Sequence, residues 1–123
     1  MKTLVDSSGW IEFFAEGPLV DRYAPYLRAP AQLVTPTIVL YEVYKRLKRE
    51  RGEDLALFAT EQIRATQIIP LTESLALLAA DVSLEYGLAM ADAVVYATAR
   101  DQDARLVTSD ADFKNLPAVE YVR

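Results

Sequence analysis

Short apolar, β-branched runs alternate along this chain with longer stretches of helical spacing, and that alternation narrows the fold more than any other feature. Strands are expected at Thr3–Asp6, Gln32–Thr35, Gln67–Ile69, Arg105–Thr108 and Val119–Val122. Each is brief and apolar without strict alternation, as parallel strands are when both faces of their sheet are covered. Helices are expected at Gly9–Ala15, Leu19–Leu27, Thr37–Arg51, Asp54–Thr66, Glu73–Tyr86 and Ala91–Asp101. Pro25 should kink or end the second. Pro36 suits the opening turn of the third, where a missing N–H costs nothing. Thr72 reads as an N-cap, Gly87 as the residue just past the fifth helix, and Gly52 as the break between the third and fourth. No repeat, low-complexity stretch or linker divides the 123 residues. One domain, an α/β sandwich with right-handed crossovers, is expected.

The chain has no His and no Cys. That excludes a Ser-His-Asp triad, a thiol nucleophile, a Cys-based zinc site and a disulfide framework. Hydrophobic residues make up 52%, enough for a core that buries roughly two thirds of the unfolded surface. The first apolar run is cut short by Asp6 and Ser7, unlike a signal peptide. No stretch approaches the ~20 apolar residues that span a bilayer. A soluble cytoplasmic protein with no membrane association is the expectation.

Carboxylates are what remain for chemistry. Asp6 closes the first strand, Asp110 and Asp112 follow the fourth, and Glu42 and Asp92 interrupt helices that otherwise read apolar. In open α/β sheets, ligands bind beyond the carboxyl ends of the strands, where strand order reverses. If the first and fourth strands are neighbours, Asp6 and Asp110 share one crevice. Asp92, in the first turn of the helix feeding the fourth strand, can point into it. Two carboxylates about 4 Å apart repel by ~4 kcal/mol at an effective dielectric near 20, so converging acids must take up protons or bind a cation. Hard oxygen ligands suit Mg²⁺ or Mn²⁺. Such an ion activates water and neutralises phosphoryl charge, which points to metal-dependent hydrolysis of a phosphodiester.

Taken singly, each acid also has a structural use. Asp6 could cap the next helix, and Glu42 could pair with Lys45 or Arg46 for ~0.3–0.5 kcal/mol. Asp92 could complement a helix dipole, and Asp110 and Asp112 could be turn residues. Their joint occurrence at these positions favours the metal.

Four segments carry a family resemblance: Leu4-Val5-Asp6-Ser7-Ser8, Thr37-Ile38-Val39-Leu40-Tyr41-Glu42, Asp92-Ala93 with Ala97 and Ala99, and Leu106-Val107-Thr108-Ser109-Asp110-Ala111-Asp112-Phe113. In order and spacing the chain resembles the PIN-domain nucleases, and among them the small VapC-type toxins of VapBC toxin–antitoxin modules. The resemblance implies a single PIN-like nuclease domain over residues 1–123. Its fold would be a three-layer α/β/α sandwich around a five-stranded parallel sheet. It implies Asp6, Glu42, Asp92 and Asp110 around Mg²⁺ or Mn²⁺, Asp112 as a further acid, and Ser7, Ser8 and Thr108 as supporting hydroxyls. It also implies endoribonuclease activity on RNA, a homodimer and inhibition by a cognate antitoxin. Residues 12–34 match only in being apolar and largely helical.

The net charge is −5, which argues against loose polyanion binding. Yet five basic residues, Lys45, Arg46, Lys48, Arg49 and Arg51, crowd the helix that carries Glu42. Lys45, Arg46, Lys48 and Arg49 are candidate RNA contacts, with Tyr41 or Tyr44 to stack on a base. Basic residues near a helix C-terminus also simply favour the macrodipole. Trp10, Phe13 and Phe14 share a helical face and read as core for at least two of the three, or as an antitoxin groove if exposed. Among rivals, a phospho-receiver would need an acceptor Asp after the third strand, which instead ends Ile68-Ile69-Pro70. A haloacid-dehalogenase-type phosphatase would need Asp-x-Asp after the first strand, where the chain has Asp6-Ser7-Ser8. A PIN-type RNA-processing nuclease outside any toxin module, or a catalytically silent binding module of the same fold, is the alternative.

Overall fold

The computed structural model describes residues 1–123. Five strands, β1 (Thr3–Val5), β2 (Val34–Pro36), β3 (Gln67–Ile69), β4 (Arg105–Thr108) and β5 (Val119–Tyr121), run parallel. Between them lie α1 (Ser7–Phe14), α2 (Val20–Leu27), α3 (Thr37–Arg51), α4 (Glu53–Arg64), α5 (Glu73–Tyr86) and α6 (Met90–Asp101). Consecutive residues of β1 and β4 are buried, from Thr3 to Val5 and from Leu106 to Thr108. Successive side chains point to opposite faces, so helices cover both. No single helix is long and apolar enough to cross a membrane.

The five strands do not form one continuous ladder, which corrects the expected five-stranded sheet. Hydrogen bonding gives a three-stranded sheet, β1-β4-β5, and a two-stranded sheet, β2-β3. A single parallel bridge, Thr3 to Leu33, links them. Proline explains the seam. Gln67 N–H donates to the Leu33 carbonyl at 3.0 Å, so Leu33 and Thr35 face β3, and Val34 and Pro36 are left to face β1. Pro36 has no N–H to extend that pairing. Across the seam the order is β3-β2-β1-β4-β5, which reverses at β1 and β4 and opens a crevice at their carboxyl ends.

Element ends shift for identifiable reasons. α1 begins at Ser7 rather than Gly9 because the Asp6 side chain caps it, accepting the Gly9 N–H at 3.3 Å. Gln32 belongs to a 3₁₀ turn, Pro30–Gln32, so β2 starts later than expected. Pro36 ends β2 instead of opening α3. Pro25 sits inside α2 without ending it; Tyr23 and Ala24 bury beside it and hold the helix to its neighbours. Thr72 caps α5 by accepting the Leu75 N–H at 3.2 Å, and Gly87 ends that helix at φ 69°. Trp10 and Phe14 are buried and stack at 6.0 Å, with Phe13 half-buried beside them.

Candidate metal centre

Each acid is positioned by the end of an element. Asp6 follows β1, is 4% exposed, and has both carboxylate oxygens engaged. Its Oδ1 accepts from Ser8 Oγ at 2.6 Å and from the Gly9 N–H, and its Oδ2 accepts from Thr108 Oγ1 at 2.6 Å. Burial raises the Asp6 pKa to about 6. The hydrogen bonds from Ser8, Thr108 and Gly9 oppose that rise, and the charge of Asp110 adds to it. Thr108 closes β4 and works in two directions, since its Oγ1 also accepts the Asp110 N–H at 2.9 Å.

Asp110 caps a 3₁₀ turn, Ala111–Phe113, by accepting the Asp112 N–H at 2.9 Å. That turn brings Asp112 beside it, and the first turn of α6 brings Asp92. Asp92, Asp110 and Asp112 each offer a carboxylate oxygen, and these oxygens lie within 4.8 Å of one another. Asp92 is pushed up to about 7, first by burial, then by the charges of Asp110, Asp112 and Glu42. Glu42, half-buried on α3, is also raised, chiefly by burial and also by Asp110, while a hydrogen bond from Ser7 opposes the shift. Asp110 is thus the one acid whose charge reaches Asp6, Glu42 and Asp92 alike.

The three aspartates form the tight group, with Asp112 inside it. Asp6 and Glu42 stand outside it, coupled to Asp110 through space. None of the five is in an ion pair; the salt bridges of the molecule all lie elsewhere. The donor set is all oxygen, acidic and without protein cations, which fits a hard divalent ion. Ser8 and Thr108 hold Asp6, and Ser7 lines the same groove as Glu42. Of the basic run, Lys45, Arg46 and Arg49 line a groove beside Glu42, whereas Lys48 bonds Tyr44 and Glu53.

Two residues escaped the sequence reading. Tyr23 donates from its hydroxyl to Ser109 Oγ at 2.8 Å, and Ser109 Oγ reaches Ser8 Oγ at 3.4 Å. A chain of hydroxyls therefore runs from α2 to Asp6. Gly9 makes room for it, because a Cβ there would collide with the Tyr23 ring and with Val5. Ser109 lies inside a recognised segment, Thr108-Ser109-Asp110, but nothing local marks Tyr23.

The chain belongs to the PIN domain family, whose model matches residues 3–119. Among curated proteins none matches by sequence. Solved structures do. A toxin–antitoxin complex from Klebsiella pneumoniae contains a chain 26% identical, with 97% of this chain and 96% of that one covered and a TM-score of 0.80. VapC20 of Mycobacterium tuberculosis, a toxin that cleaves the sarcin-ricin loop, is 22% identical, with coverages of 99% and 100% and a TM-score of 0.81. VapBC2 of Rickettsia felis, bound to a DNA fragment from its promoter, is 17% identical over the full length of both chains, with a TM-score of 0.80. The fold is that of the VapC toxins.

Proposed function

We propose that the protein is a metal-dependent endoribonuclease, the toxin of a type II toxin–antitoxin module. The observation that carries this reading is the triad Asp92, Asp110 and Asp112, its oxygens within 4.8 Å and no cationic side chain paired to them, at the switch point of a PIN-family sheet. These three would hold Mg²⁺ or Mn²⁺, with Glu42 and Asp6 completing the acidic lining. When bound, the ion lowers the pKa of a coordinated water and neutralises charge on the phosphoryl oxygens. The chain's own residues supply the frame. Ser7 lies beside Glu42, Ser8 and Thr108 fix Asp6, and the second bond of Thr108 anchors the Asp110 backbone.

A cognate antitoxin and a second copy of the chain are the proposed protein partners, acting in the cytoplasm. Similarity to the Klebsiella pneumoniae toxin–antitoxin complex supports the first. So does exposed Phe58 on α4, edge-on to Phe14 at 6.1 Å. Exposed Leu77 and Leu84, seven residues apart on one face of α5, support the second. The test is cleavage of a labelled total-RNA pool by purified protein with Mg²⁺, Mn²⁺ or EDTA, beside Asp6→Asn. Discrete metal-dependent products absent from the variant are expected. No cleavage by folded, antitoxin-free protein would sink the reading.

A further inference from the structure

A groove of about 240 Å³ runs beside Glu42, with Ser7 and Ile11 of α1 on one wall and Glu42, Lys45, Arg46 and Arg49 of α3 on the other. Residues 42, 45, 46 and 49 recur at helical spacing, so they share one face of α3. Along roughly 10 Å of that face, at 1.5 Å per residue, the charge changes from the acid of the metal centre to three cations. The rest of the basic run is turned elsewhere. Lys48 Nζ bonds Glu53 at 3.3 Å and the Tyr44 hydroxyl at 3.4 Å, and Arg51 reaches the Ala15 carbonyl at 3.4 Å.

We propose that this groove is the path by which an unpaired RNA strand reaches the acids, with Lys45, Arg46 and Arg49 binding its phosphates and Lys48 taking no part. The proposal deepens the nuclease reading and rests on it. Lys45 has no carboxylate partner; the Tyr41 hydroxyl holds its ammonium at 3.2 Å. Arg46 and Arg49 share Glu50 at 3.3 and 3.6 Å in exposed pairs. Such pairs contribute little in water, so a phosphate can replace them. The adjoining ring of Tyr41, 58% exposed, offers an unpaired base a stacking surface. The groove lies between α1 and α3 and ends at half-buried Glu42.

The test pairs binding with cleavage. In an Asp110→Asn background, expected to slow cleavage by roughly 10³-fold, a short fluorescein-labelled single-stranded RNA is titrated by anisotropy over a range of salt. Combining Lys45→Gln, Arg46→Gln and Arg49→Gln should weaken binding about tenfold or more and flatten the log–log salt slope by about 2, at ~0.7 per lost phosphate contact. Lys48→Gln should leave both unchanged, and circular dichroism confirms that each variant folds. Wild-type protein is run in parallel on the total-RNA pool. Wild-type cleavage with an unchanged slope in the triple variant overturns the groove and leaves the nuclease standing. Equal losses from Lys48→Gln and from each single groove variant overturn the assignment of face. No wild-type cleavage removes both readings together.

Discussion

The two walls of the acid centre are built by opposite means. On the inner wall Asp6 is buried, yet hydroxyls from Ser8 and Thr108 and the Gly9 N–H occupy both of its oxygens. On the outer wall Asp92, Asp110 and Asp112 crowd their oxygens within 4.8 Å with no cation from the protein. The inner wall is rigid by construction, because breaking its bonds would strand buried polar groups. The outer wall is strained by like charge and relaxes only when protons or a cation arrive. One wall is held together by hydrogen bonds, the other is pushed apart by charge.

The hardest blow to this contrast is Asp110→Asn, at the acid whose charge reaches Asp6, Glu42 and Asp92. The amide keeps an Oδ1 to accept the Asp112 N–H, but one charge is gone. RNA cleavage should fall by roughly 10³-fold, the scale of removing a key electrostatic group, as measured on the RNA pool. The melting temperature of the metal-free variant should rise. A lower one would mean that the triad does not repel.

Thr108→Val attacks the other wall. It strands Asp6 Oδ2 and the Asp110 N–H together, at a cost of about 1–3 kcal/mol. Urea denaturation should show that loss without metal, where Asp92→Asn shows none. Equal stability of Thr108→Val and wild type would dissolve the distinction between the walls.

Asp6 is raised to about 6 and Asp92 to about 7 from an ordinary 3.8, and Glu42 is raised as well. An acid with a raised folded pKa supports folding fully below its unfolded pKa and loses that support as pH climbs through the folded value. The metal-free melting temperature should therefore decline from about pH 4 to about pH 8, and saturating Mg²⁺ or Mn²⁺ should flatten the decline. A level metal-free profile would show the acids already compensated. The smallest effect expected is from Tyr23→Phe, which removes one hydroxyl at the far end of the chain to Asp6. It should lower stability by about 0.5–1.5 kcal/mol, read from the urea midpoint. No shift would mean that Ser109 finds another donor.

What was legible in the sequence was local. Helix and strand identities follow from spacing, and the Thr72 cap and Gly87 stop follow from backbone chemistry that neighbouring residues dictate. The strand-end acids could be found because α/β sheets concentrate ligands there. The break between β1 and β2 was not legible, because it depends on which way Pro36 faces, and that is decided by pairing with β3. The membership of Asp112 in the tight triad depends on the 3₁₀ turn that Asp110 caps. Tyr23 was silent because its partner, Ser109, is 86 positions away and no spacing rule connects them.

The bond between Thr108 and Asp6 joins residues 102 positions apart, and β4, the fourth strand made, is inserted between β1 and β5. Contacts of such separation form late, after the intervening chain is available. During synthesis, β1 has only its single bridge to Leu33, and Asp6 lacks Thr108, until β4 has emerged from the ribosome. The acids therefore come together only once β4 and the turn that follows it have been made. A truncated product that stops short of β4 carries Asp6, Glu42 and Asp92 but no assembled site.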